Sequence, residues 1–155
     1  MKKILLLITL TVFLSCGEKD PCEDVIIDIL QQTLLIELVD SSGNNLIENN
    51  KYVADNIYVE RDGYKNLPSV YSDESFIPDA YRNLIFLTIY GTEKNENIWT
   101  VFLNNEETDT LKIDLKTEDV SCSVTFYEIL NVSYNDINYD LIDLGNNTYK
   151  ITVVK

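Results

Sequence analysis

The chain has 155 residues, with 26 Asp and Glu against 12 Lys and Arg, a formal net charge of −14 and no histidine. This charge argues against nucleic acid as a partner, because nucleic-acid binding needs basic patches that neutralise phosphates. Without histidine the chain lacks the commonest general base and the commonest zinc ligand, so Ser-His-Asp and Cys-His catalysis are excluded.

The first 15 residues have the layout of a secretory signal peptide. Lys2 and Lys3 form a positive start, a mostly apolar run covers residues 4–14, and the small residue Ser15 closes it. A membrane-spanning helix needs about 20 apolar residues, so this run is too short to be one. We therefore expect a cleaved signal over residues 1–15; the alternatives are a buried helix and an N-terminal membrane anchor.

Residues 13–16 (FLSC) resemble the lipobox of bacterial lipoproteins. The resemblance implies cleavage before Cys16, acylation of Cys16, and a lipidated tether over residues 16–22. Residues 18–20 (EKD) are similar to the surface-export signal of Bacteroidota lipoproteins. The expected location is therefore the outer membrane, with the domain anchored by lipid and displayed on the cell surface; display on the periplasmic face is the alternative.

Two cysteines, Cys22 and Cys122, remain if Cys16 is lipidated. A secreted protein occupies a compartment that permits disulfides. We expect a Cys22–Cys122 disulfide that staples the end of the tether to the domain and stabilises it by up to about 4.7 kcal/mol, the value for a loop of about 100 residues. Two free buried thiols are the alternative.

From residue 32 onwards the sequence is typical of β-strands. Some strands are short and fully apolar, and others alternate apolar and polar residues with turn residues between them. Residues 33–39 are apolar on both faces except for Glu37, which predicts a central strand. Residues 25–30 (VIIDIL) are compatible with either a strand or a helix. The other predicted strands lie at 57–60, 84–90, 98–103, 111–115, 122–126, 141–144 and 148–154.

Seven or eight strands in one domain over residues 23–155 predict an all-β fold, an immunoglobulin-like or transthyretin-like antiparallel β-sandwich. Residues 34–48 look like the opening of carboxypeptidase-regulatory-like domains, in which a strand ends in Asp, turns through Gly and resumes at Leu. Residues 146–154 are similar to the closing strand of those domains. Because they are usually accessory modules, the resemblance implies a non-catalytic role.

Residues 61–80 form the longest stretch without an obvious strand, and they carry Tyr64, Tyr71 and Phe76. Connections this long are uncommon in compact domains and are often functional. Loop aromatics offer stiff, amphipathic contact area to proteins or sugars. We therefore predict a binding surface at these three residues; a covering loop whose aromatic rings plug one end of the sandwich is the alternative.

Acidic residues suggest two further candidates. Asp136, Asn138 and Asp140 match the first three ligands of a calcium loop, but Leu141 stands where glycine is required and Asn147 where glutamate is required, and a polar hairpin explains the same residues. Glu106, Glu107 and Asp109, like Asp73 and Glu74, are paired carboxylates of the kind that glycosidases use. Acidic loops are common in so acidic a chain, so we expect no metal, no cofactor and no catalysis.

The sequence thus predicts a non-catalytic binding or accessory module of the cell envelope, held to the membrane through Cys16, with an envelope protein or a glycan as its partner. Two other functions stay open: a purely structural envelope component without a small ligand, and a carboxylate-dependent hydrolase.

Overall fold

The computed structural model describes residues 32–66, 70–72, 77–89, 96–120 and 124–155. The lipidation site Cys16, the disulfide pair Cys22 and Cys122, the candidate Phe76 and the strand-or-helix segment 25–30 lie outside the described residues. Predictions about these residues stay predictions.

The described residues form two β-sheets and no α-helix. One sheet has four strands in the order β4-β1-β10-β9, and the other has six in the order β3-β2-β5-β6-β7-β8. The strands of the smaller sheet are β1 (Gln32–Val39), β4 (Ile85–Ile89), β9 (Ile142–Gly145) and β10 (Thr148–Val154). Those of the larger sheet are β2 (Tyr58–Arg61), β3 (Tyr64–Asn66), β5 (Glu96–Phe102), β6 (Thr108–Val120), β7 (Val124–Tyr134) and β8 (Ile137–Tyr139).

The predicted all-β sandwich is confirmed, because the inward faces of the two sheets share one core. Leu34, Ile36 and Leu38 alternate along β1 and are fully buried in that core. They belong to the same cluster as Trp99 of β5 and Leu111 of β6 in the other sheet. Burying one such aliphatic side chain contributes about 1.5–3 kcal/mol, so the alternation holds the sheets together.

Most neighbouring strands are antiparallel, but β1 and β10 run parallel, with Leu34 opposite Tyr149 and Leu38 opposite Val153. β1 lies between β4 and β10, so it is the central strand that its two apolar faces predicted. Its outward-facing Leu35 is fully buried and lies opposite Phe86 of β4.

The described residues contain ten strands rather than seven or eight, because β3 and β8 are too short to show a period-two pattern. β3 lies inside the segment 61–80, which the sequence predicted to be free of strands, and it pairs with β2 across a turn at Asp62 and Gly63. Those two residues have φ values of 53° and 80°, as two-residue hairpin turns require. β8 similarly follows a turn at Asn135 and Asp136, with φ values of 49° and 63°.

Candidate functional site

Of the three aromatic residues predicted to form a binding surface, Phe76 lies outside the described residues, and Tyr64 and Tyr71 lie on different sheets. Tyr64 lies on the edge strand β3 of the larger sheet with 81% of its surface exposed. Tyr71 is half-buried, and its ring meets Phe86 of the smaller sheet edge-on at a centroid distance of 5.2 Å. Tyr81 contacts the same ring at 6.5 Å. Tyr71 and Tyr81 thus cover part of the outer face of the smaller sheet.

A polar groove of about 800 Å³ opens on the outer face of the smaller sheet. The sheet contributes Glu37 of β1 and Lys150 of β10. One side is formed by the segment 45–50, with Asn45, Ile47, Glu48 and Asn50, and the other by Ser72 and the segment 79–84. We call this site the outer groove.

The side chain of Asn45 links the two sides of the outer groove. The Asn45 amide donates a hydrogen bond to the Asn83 carbonyl at 3.0 Å, which connects the two sides directly. The Asn45 side-chain oxygen accepts hydrogen bonds from the backbone N–H groups of Ile47 and Glu48. Asn50 and Asn83 adopt φ values of 61° and 57°, a left-handed conformation that asparagine tolerates better than most residues. These hydrogen bonds and turn conformations therefore define the backbone on both sides of the groove.

Ion pairs neutralise most of the charge in the outer groove. Glu37 accepts hydrogen bonds from Lys150 at 3.0 Å and from Thr152 at 2.9 Å. Arg82 pairs with Asp79 at 2.9 Å and donates to the Ile77 carbonyl. Within the described part of the chain, Glu48 is the one lining carboxylate without an ion pair.

A second polar cluster lies where β10 ends and β6 begins. The Lys155 ammonium bridges two carboxylates: it donates to Glu107 Oε1 at 2.6 Å and to Asp109 Oδ2. The Tyr52 hydroxyl donates to Glu107 at 2.9 Å, and the Tyr134 hydroxyl donates to Asp109 at 2.8 Å. We call these five residues the lysine bridge. Glu107 and Asp109 are two of the three acidic residues that the sequence suggested as paired carboxylates. The third, Glu106, is exposed.

Both carboxylates of the lysine bridge favour the ionised form. The hydrogen bond from Lys155 is the largest cause that lowers the pKa of Glu107. Burial by itself raises the pKa of Asp109, but hydrogen bonds from Asn135, Lys155 and Tyr134 outweigh it and hold this pKa below its usual range. Glycosidases need one carboxyl with a raised pKa as the proton donor, and neither group meets that requirement.

From the lysine bridge we predict that the free energy of unfolding falls at alkaline pH. Burial, assisted by the hydrogen bond to Glu107, raises the pKa of Tyr52 to about 12. An unfolded tyrosine ionises near pH 10, so from about pH 10 to 12 the unfolded chain loses its Tyr52 proton first and the free energy of unfolding falls. We expect this residue to account for about 2 kcal/mol of the loss at pH 12. When urea unfolding is measured at several values from pH 10 to 12, the free energy of unfolding should fall less steeply with pH for Tyr52→Phe than for the wild type.

Part of the decrease in the free energy of unfolding with rising pH should persist in Tyr52→Phe. The pKa of Lys155 is also raised, because its bonds to Asp109 and Glu107 outweigh burial, and the stability it provides is likewise lost as pH rises through its folded pKa. Tyr64→Phe removes an exposed phenol and serves as the control that follows the wild-type curve. Coinciding curves for Tyr52→Phe and wild type would contradict the prediction.

The calcium candidates occupy a hairpin. Asp136 lies in the turn between β7 and β8, and its Oδ1 accepts a hydrogen bond from the Lys112 ammonium at 2.7 Å. Asn138 lies on β8 and Asp140 follows it, both exposed. Among the described residues no group of three or more Asp, Glu or Cys side chains is arranged to hold a metal ion.

Sequence reasoning missed the residues of the outer groove. The asparagine-rich segment 44–50, which follows Gly43, gave a turn signal, since Asn and Gly mark turns. The sequence did not indicate that these two segments meet, because 38 positions separate Asn45 from Asn83.

Over the residues that the structure describes, no helix is long and apolar enough to cross a membrane. No known protein family, curated protein or solved structure matches this chain.

Proposed function

We propose that this protein is a lipid-anchored, non-catalytic binding module of the outer membrane, and that the outer groove is its ligand site. The lipobox-like residues 13–16 support the anchor, and residues 18–20 support display on the cell surface. An anchored domain of this kind needs a site that faces solvent.

The observation that carries the proposal is the outer groove itself. Its volume of about 800 Å³ falls within the range of roughly 300–1,000 Å³ of ligand sites. The bond from Asn45 to Asn83 joins its two sides, so the groove is built before any ligand arrives. A preformed site loses less conformational entropy on binding, and therefore more of its contact energy appears as affinity.

Two observations argue against catalysis. The sequence contains no histidine. The best-placed pair of carboxylates, Glu107 and Asp109, is neutralised by Lys155 in the lysine bridge and offers no proton donor. A structural envelope component without a ligand is the competing role, and the groove favours binding over it.

Site-directed photo-cross-linking in the native host tests the proposal. Ala80 lines the outer groove and is exposed, so a benzophenone amino acid at position 80 should capture the ligand. Ser41 is exposed in the turn after β1 and does not line the groove, so position 41 is the matched control. We expect an adduct of defined mass from position 80 and none from position 41.

Equal labelling from both positions, or no adduct from position 80, would refute the outer groove as a ligand site. The structural role would then become the better explanation.

A further inference from the structure

We infer that the ligand of the outer groove is a neutral oligosaccharide. The inference rests on the proposed function, since it names the chemistry of the ligand for the same site.

The lining offers many hydrogen bonds and little apolar surface. Asn50 and Asn83 contribute amides to the lining and Ser72 contributes a hydroxyl, whereas the Asn45 amide is already engaged within the groove. Amides and hydroxyls both donate and accept, which suits a ligand covered with hydroxyl groups. The larger apolar lining residues, Ile47 and Leu84, are themselves buried at 4% and 2% exposure, so they offer a lipid-like ligand little surface.

The charge balance of the lining favours an uncharged ligand. The Glu37–Lys150 and Asp79–Arg82 pairs each sum to zero, which leaves Glu48 as the net charge. An anionic ligand would have to approach a chain with a net charge of −14. A cationic ligand would find only Glu48 available, because the carboxylates of Glu37 and Asp79 are already paired with Lys150 and Arg82.

The strand order argues against an extended peptide. A peptide that binds by strand addition needs an open sheet edge with free backbone groups. The two strands beneath the outer groove, β1 and β10, are both interior strands, since the order is β4-β1-β10-β9. The ligand is therefore not held by strand addition to β1 or β10. The volume of about 800 Å³ lies in the upper part of the range for ligand sites, which favours several sugar rings over one.

Calorimetric titration of the full mature protein in detergent tests the inference. The probes are maltohexaose, cellohexaose, xylohexaose, mannohexaose and hexa-N-acetylchitohexaose, with hexagalacturonic acid as the anionic comparison. We expect at least one neutral probe to bind. Its affinity should be unchanged from low salt to about 0.5 M NaCl, because no charge is paired across the interface.

Two variants place that binding in the outer groove. Ser72→Trp should abolish it by filling the groove, whereas Ser41→Trp, the same change at an exposed serine outside the groove, should leave it unchanged. Asn50→Gly removes one amide but keeps the φ of 61°, and it should weaken binding about tenfold, the effect of losing one hydrogen bond to a ligand. If Ser72→Trp fails to fold by circular dichroism, Asn50→Gly decides the result.

The inference would be overturned if no neutral probe binds or if only the anionic probe binds. It would also be overturned if these variants leave the binding intact. A protein adduct from the cross-linker at position 80, together with such a panel, would leave the proposed binding function standing. The absence of any adduct would instead refute the proposed function.

Discussion

Replacing Lys155 by methionine is expected to lower the free energy of unfolding by about 3 kcal/mol. Methionine keeps most of the aliphatic length and removes the ammonium group. The side chain of Asp109 is only 6% exposed, so its negative charge would remain buried beside Glu107 without the compensating cation. Removing one partner of a buried ion pair is costly because the remaining charge has lost the hydration it had in the unfolded chain. Urea unfolding at neutral pH measures the change.

The control is Lys116→Met, since Lys116 pairs with Glu128 at 3.8 Å and both side chains are about half exposed. We expect that change to cost less than about 1 kcal/mol, as for most surface ion pairs. A Lys155→Met variant that is no less stable than Lys116→Met would show that the lysine bridge does not stabilise the fold.

A triple variant separates the cost of buried charge from the loss of contacts. Combining Lys155→Met with Glu107→Gln and Asp109→Asn removes all three charges but keeps similar shapes. We expect this variant to recover part of the stability lost in Lys155→Met, because no unpaired charge remains buried. A triple variant less stable than Lys155→Met would instead indicate that the hydrogen bonds donated by Tyr52 and Tyr134 need ionised acceptors.

Cys16→Ala is expected to abolish acylation, which leaves the protein either uncut or released from the membrane. Without a sulfur there is no acylation, and a lipoprotein signal without its cysteine is not cut at that position. Each CH₂ buried in the bilayer contributes about 0.8 kcal/mol, and two acyl chains suffice for stable anchoring. Metabolic labelling with a fatty-acid analogue and membrane fractionation should therefore find the wild type acylated in the membrane, and the variant unlabelled and either unprocessed or released.

Cys22→Ala is the matched control, because it removes a nearby cysteine that we expect to form a disulfide with Cys122. It should remain acylated and membrane-bound while losing about 2–5 kcal/mol of stability. An acylated, processed Cys16→Ala protein in the membrane fraction would overturn the assignment of residues 13–16 as a lipobox.

Local patterns of the sequence were sufficient to predict the sandwich. β1 was predicted as a central strand from its two apolar faces, and the structure places it between β4 and β10. The hairpin of β9 and β10 was predicted from Gly145, Asn146 and Asn147, and all three residues have positive φ. Such features depend on side chains only a few positions apart, so a single sequence contains the information.

Both polar sites needed the tertiary structure. Glu107 and Asp109 were noted as an acidic pair, but their partner Lys155 lies 48 and 46 positions away. The parallel pairing of β1 with β10 brings the end of the chain beside residue 39, where the Lys155 N–H donates to the Val39 carbonyl. Strand pairing between distant segments is decided by the packing of the whole core, which no local pattern encodes.

The sequence by itself determined the class of fold and most of the strands, while the lipid anchor at Cys16 stays a prediction. Only the tertiary structure decided that Tyr71 covers the smaller sheet while Tyr64 stays exposed, since the two belong to segments on different sheets. It also decided that Asn45 meets Asn83 to form the outer groove. The physical reason is that backbone preferences and hydrophobic alternation act over a few residues, whereas the surroundings of a polar side chain depend on which distant strands become neighbours.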